Sequence, residues 1–226
     1  MFILSLISVT SVWADDSDYP DYKFYVGGGL GYGNTGWTEL VDYNNDPLTD
    51  LSAPTSAQTG GLSYEGFIGY NVAENFAIEA RYTQYPQATL GFAHLNLGEL
   101  IDELIHENLP IPYIPVPNFY GVYRLPTNLG AYGLVGKFFI PAFPKYHIKA
   151  FMTLGADYTV RQDQLGTVTS LSPTFGMGMD WRFSRRFKAT AEFEYVTGNG
   201  ASTANPVVQY VPFLYNFDIR LSYLFG

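Results

Sequence analysis

The chain contains no cysteine, so disulfide scaffolding, thiol catalysis and cysteine-ligated zinc are excluded. Charge is scarce as well. Asp, Glu, Lys and Arg make up 15% of the residues, against about a quarter in an ordinary soluble domain. Bases are the scarcer kind, 12 against 21 acids, for a net charge of −9. That balance argues against a nucleic-acid binder, which needs a basic face, and is compatible with contacts made through divalent cations. Beyond the N-terminus no apolar run reaches the roughly 18 residues of a membrane-spanning helix. The histidines His94, His106 and His147 lack the spacing of a metal site. No G-x-S-x-G, phosphate loop or nucleotide fingerprint is present. No cofactor, no metal and no catalytic residue is expected.

What the chain has in excess is aromatic residues, 19 Tyr and 17 Phe, together with 23 Gly. The last segment, FLYNFDIRLSYLFG at 213–226, shows how they are used. Tyr215, Phe217, Ile219, Leu221, Tyr223 and Phe225 alternate with Asn216, Asp218, Arg220 and Ser222. A period of two is a strand with one apolar and one polar face. Aromatics at both ends of the apolar face, with aliphatics between, fit a barrel strand crossing a membrane between interfacial girdles.

The same alternation recurs along the chain. KFYVGGGLGYG at 23–33 puts Phe24, Val26, Leu30 and Tyr32 on one face and Gly27, Gly29, Gly31 and Gly33 on the other, which suits close backbone approach in a narrow barrel. Segments 61–72 and 76–85, 131–140 and 147–159, and 173–183 and 187–197 read as three further pairs joined by short turns. With the closing strand this makes eight strands, separated by long polar loops at 34–60, 86–130, 161–171 and 198–212. Long connections alternating with short ones are the mark of an up-and-down transmembrane β-barrel, whose periplasmic turns are short. The expected fold is therefore an all-β, eight-stranded antiparallel barrel over residues 23–226. A soluble barrel of the lipocalin sort is the competing architecture.

Residues 2–13 are apolar and end at Val12-Trp13-Ala14, which reads as a signal peptide over 1–14, cleaved after Ala14, although a basic start is missing. A buried first strand or helix is the other reading. An acidic, disordered lead-in is expected at 15–22. Within 86–130, Leu97, Leu100, Ile101, Leu104 and Ile105 recur at helical spacing and Pro110 ends the pattern. This helix either caps the barrel mouth or meets a partner.

Charges on the strands fall on the face opposite the apolar set. Facing lipid, each would cost up to about 2–4 kcal/mol near mid-bilayer. Facing inward, they can pair, and an eight-stranded barrel is only wide enough to be filled by side chains. Glu79, Arg81, Lys137, Asp180, Glu192, Glu194 and Arg220 are the expected lumen cluster, with Glu65, Lys149, Asp157, Arg182 and Asp218 on the same face. The excess of acids in this set points to cation preference for anything that passes. Glu192 and Glu194, separated by about 7 Å of strand rise, suit glycosidic chemistry by distance, but no cleft or partner motif accompanies them.

YVGGGLGYG at 25–33, FIGYNVAENFAIEARY at 67–82, LVGKFFIP at 134–141, SPTFGMGMDWRFSRRFKATAEFEY at 172–195 and LSYLFG at 221–226 resemble the eight-stranded transmembrane domain of the OmpA-like outer-membrane proteins, with opacity-protein-type barrels as close competitors. The resemblance covers the strands and not the loops. It implies export to the outer membrane and contact with its lipid and lipopolysaccharide. It also implies recognition by the barrel-assembly machinery through the C-terminal strand, and host or surface ligands held by the loops. Family members carry a salt-bridged cluster that occludes and gates the lumen, matched here by Glu79, Lys137, Asp180 and Glu194. The family's gate arginine falls at Glu192, with Arg81 or Arg220 as substitutes. The expected role is a non-enzymatic, adhesin-like surface protein with at most a narrow gated pore. The alternative is a barrel enzyme acting on lipid by acyl transfer or hydrolysis.

Overall fold

The computed structural model describes residues 22–37, 56–92, 123–143, 146–164, 166–199 and 210–226. Their strands are β1 (Phe24–Thr35), β2 (Ser56–Gln58), β3 (Gly61–Ala73), β4 (Phe76–Gln84), β5 (Ala88–Phe92), β6 (Tyr123–Phe143), β7 (Ile148–Asp163), β8 (Gly166–Arg182), β9 (Phe187–Val196) and β10 (Leu214–Phe225). Eight of them close an antiparallel barrel in the order β1, β3, β4, β6, β7, β8, β9, β10. The seam pairs the first strand with the last, from Phe24 opposite Phe225 to Thr35 opposite Leu214.

Burial is inverted relative to a soluble domain. On β10, Phe217, Ile219 and Leu221 are more than half exposed, whereas Asn216, Asp218, Arg220 and Ser222 are at most 1% exposed. The same inversion runs round the barrel, with Leu30, Leu134 and Met177 outward. A slip of one residue would turn a charged set to lipid, so the hydrocarbon itself fixes the register. Aromatic rings gather at both rims. Phe24 stacks on Phe225 and Phe187 meets Tyr223 at the inner end; Tyr82 packs on Tyr132 and Tyr195 on Phe213 at the outer end. Such belts sit at headgroup level.

Two short strands extend the wall at the outer end. β4 stops at Gln84 because Pro86 has no N–H to give the ladder. Tyr85 still donates its N–H to Leu129 at 2.9 Å. The chain then resumes as β5 along β6, with Ala88 opposite Thr127, and β2 adds to the edge of β5.

The expected loop at 161–171 is strand. β7 runs to Asp163 and β8 begins at Gly166, paired from Ile148 opposite Trp181 to Asp163 opposite Gly166. The Thr167-Val168-Thr169 run has high β propensity, and its polarity marks wall standing beyond the apolar band, not a loop. Similarly, β5 and the first part of β6 lie within the segment expected as the 86–130 loop. The expected signal peptide at 1–14, nearly all of the lead-in at 15–22 and the helical pattern at 97–105 lie outside the described residues. So do 38–55 and 200–209 of two other expected loops.

Candidate functional site: a charged lumen between two apolar layers

The lumen begins with what β1 does not put into it. Its inward positions from Gly27 to Gly33 carry no side chain, and across the seam Gly29 faces Arg220 and Gly31 faces Asp218. A Cβ at Gly29 would stand 2.8 Å from Arg220 Cγ, and one at Gly31 would run into the Asp218 carboxylate and the Phe217 carbonyl. The glycine strand thus yields its share of the interior to the charges of β10.

Arg220 occupies that space. Its guanidinium pairs with Glu192, with Glu79 at 2.5 Å and with Glu65 at 3.0 Å, and lies 3.6 Å from the centre of the Phe67 ring. Arg81 holds a second group: Glu194 at 2.8 Å, Glu192 at 3.4 Å and Asp157 at 3.6 Å, with Thr174 Oγ1 accepting from it at 3.2 Å. Lys137 reaches Asp180 at 3.6 Å and Glu192 at 3.7 Å, over the face of Phe151. Lys188 donates to Asp180 at 2.7 Å, and Tyr25 donates to Glu79 at 3.0 Å. Glu192 is the shared member, in reach of Arg220, Arg81 and Lys137.

All seven residues of the expected cluster therefore stand in one connected network. Of the other charges on that strand face, Glu65 and Asp157 join it through Arg220 and Arg81, and Asp218 accepts from Asn216. Lys149 is exposed and donates to the Glu74 carbonyl at 3.3 Å, and Arg182 donates to the Arg185 carbonyl at 2.8 Å; both lie beside the inner turns, below the lumen. Lys188 was missed, although it shares strand parity with Glu192 and Glu194. At the position of the family's gate arginine stands Glu192, and both substitutes, Arg81 and Arg220, are in ion-pair contact with it. Glu192 and Glu194, the pair at glycosidic spacing, are 1% exposed and face the lumen, away from any surface cleft.

The network is closed at both ends by apolar side chains. Toward the inner end, Tyr25, Phe67, Ala77 and Leu224 pack together. Toward the outer end, Trp37, Tyr85, Leu90, Leu125, Leu129 and Leu214 form a larger buried cluster with Tyr210. Arg161 ties this cap down. Its Nη1 donates to the Tyr210 carbonyl at 2.5 Å, its guanidinium lies 5.5 Å from the Trp37 ring, and Tyr210 donates in turn to the Gly36 carbonyl at 3.1 Å. Neither Trp37 nor Arg161 was expected in the interior, since both stood in segments read as loops.

The OmpA-like transmembrane domain family matches residues 20–226. Among solved structures, the chain is similar to the outer membrane protein OprG from Pseudomonas aeruginosa, at 10% identity over 90% of this chain and 97% of that one, with a TM-score of 0.50. Neisserial surface protein A, NspA, aligns at 13% identity over 89% of this chain and 97% of its own, with a TM-score of 0.49. Ail of Yersinia pestis, solved with the heparin analogue sucrose octasulfate, aligns at 12% identity over 90% and 99%, with a TM-score of 0.42. At these identities the likeness concerns the fold alone. No curated protein sequence matches the chain.

Proposed function

We propose that this chain, which belongs to the OmpA-like transmembrane domain family, serves the outer membrane as a plugged, non-enzymatic barrel. Its outer end makes adhesin-like surface contacts, and its lumen passes at most a narrow, gated flux. One observation carries this reading: the ionic network fills the lumen and an apolar layer covers it at each end. Bulk flow through such an interior needs paired charges to separate in a low-dielectric site, which is expensive. The barrel is then chiefly an anchor, and the chemistry that distinguishes it belongs to its outer end. The chain lengths agree. Inner turns at 74–75 and 183–186 are short, whereas the strand ends at Thr35, Phe92 and Val196, from which the long connections start, all lie at the outer end. Lipopolysaccharide surrounds the apolar wall, surface ligands meet the outer connections, and β10 is the strand offered to the assembly machinery.

The test has two arms. Refolded protein in planar bilayers is expected to insert silently or with rare, small openings, and Lys137→Ala to raise the open fraction by freeing Asp180 and Glu192. Bacteria displaying the barrel are expected to lose surface binding when 38–55 and 93–122 are replaced by short turns. A steady wild-type conductance overturns the plug, and binding unaltered by trimming overturns the surface role.

A further inference from the structure

The lumen holds more negative than positive charge. Seven carboxylates are buried there, Glu65, Glu79, Asp157, Asp180, Glu192, Glu194 and Asp218, against the four cations Arg81, Lys137, Lys188 and Arg220, while the buried Arg161 of the outer cap pairs with Asp163 at 2.8 Å. The excess is not spread evenly. Glu79 and Asp180 each lie against a strong ionic partner, Arg220 at 2.5 Å and Lys188 at 2.7 Å. Asp218 has no cation within ion-pair distance among the described residues, and only Asn216 Nδ2 donates to it, at 2.8 and 2.7 Å. One carboxylate oxygen from each of Glu65, Glu194 and Asp218 lies within 4.8 Å of the other two.

Beside that triangle stands a fourth carboxylate whose ion pair, to Arg81, is long at 3.6 Å. Asp157 is 1% exposed, neither of its oxygens accepts a hydrogen bond, and it shares Arg81 Nη2 with Glu194. Glu194 Oε2 is likewise buried without a donor. Two carboxylates that share one guanidinium nitrogen still repel each other, and burial removes the water that would screen them. Arg81, 3.6 Å from Asp157 and 2.8 Å from Glu194, is already divided among three acids.

We propose that Glu65, Glu194 and Asp218, with Asp157 behind them, form a lumenal site for a hard divalent cation of the calcium class. The donors are all oxygens, which selects calcium or magnesium over softer metals. Ligand oxygens about 2.4 Å from calcium stand at most about 4.8 Å apart, and the three oxygens here lie within that limit. Calcium's variable coordination tolerates the two neighbouring guanidiniums better than magnesium's strict octahedron. The four carboxylates come from β3, β7, β9 and β10, so a bound ion fastens opposite walls of the barrel together.

The test is calorimetric titration of calcium chloride into chelator-stripped, refolded protein in micelles, with thermal melting in calcium and in chelator alongside. One ion per barrel and a melting point raised by calcium are expected. Asp218→Asn keeps the shape of the side chain and removes one charge; it is expected to weaken calcium at least tenfold, and Glu194→Gln to do the same. Glu74→Gln, on an exposed inner turn, is expected to leave binding unchanged. The electrophoretic shift between heated and unheated samples verifies that each variant is folded. No calcium uptake by the folded wild type overturns the site, because protons then neutralise the excess. Uptake that is equal in folded Asp218→Asn and Glu194→Gln overturns it as well, because the ion then sits elsewhere.

Discussion

The middle of the lumen and its outer cap are equally buried and built from opposite chemistry. In the middle, Arg220, Arg81, Glu79 and Glu192 are each at most 5% exposed, yet all are charged; in the cap, Trp37, Leu90, Leu125 and Leu129 are fully buried and apolar. The middle is held by directed contacts that must all be present, since one missing partner leaves a charge buried alone. The cap is held by packing, which is local and degrades gradually. A plug made of charges alone would be a wet path waiting to open. The apolar layer over it excludes the water that opening needs.

That contrast can be broken from either side. The largest effect is expected for Arg220→Ala, which takes the ion-pair partner from Glu79 and Glu65 and one of three from Glu192. A loss of about 3–5 kcal/mol is expected, read as a lower urea midpoint for unfolding from micelles. Leu125→Ala opens a cavity in the cap and is expected to cost about 2–4 kcal/mol in the same measurement, while leaving the ion pairs below it intact. Gly31→Ala presses a methyl toward the Asp218 carboxylate and the Phe217 carbonyl. It is expected to cost about 1–3 kcal/mol by overpacking. The smallest effect belongs to Thr127→Val. Thr127 Oγ1 is buried beside the cap without a partner, so its removal is expected to be neutral, or to stabilise by no more than about 1 kcal/mol. A large loss there would mean that the cap is a polar site after all.

The charged middle was legible because it obeys strand parity. Glu79 and Arg81, Glu192 and Glu194, Asp218 and Arg220 each alternate with outward apolar residues, and hydrocarbon leaves such charges only one direction to face. Lys188 followed the same rule and needed only the same count. The cap was not legible. Trp37 lies just past β1, Leu90 on a strand restarted after Pro86, and Tyr210 just before the isolated bridge of Asn199 with Val211. No period links them, and they meet only because the barrel brings the ends of its walls together. The β7–β8 hairpin was hidden for a different reason. Polar residues normally signal a loop, but a wall standing above the apolar band is polar as well.

The seam between β1 and β10 has a consequence for how the molecule is made. Its partners are roughly two hundred residues apart, so the pairing that completes the wall has high sequence separation and forms slowly. Until then β1 and β9 each show lipid an edge of unpaired backbone, which hydrocarbon penalises by several kcal/mol per group. Nor is there a smaller ring to stop at. Without β10 the barrel has seven strands, β1 and β9 run in the same direction, and an antiparallel closure is geometrically unavailable. Pairing of β10 with β1 is thus the committing event. A chain that lacks β10 is therefore left with two open edges and not with a lesser barrel.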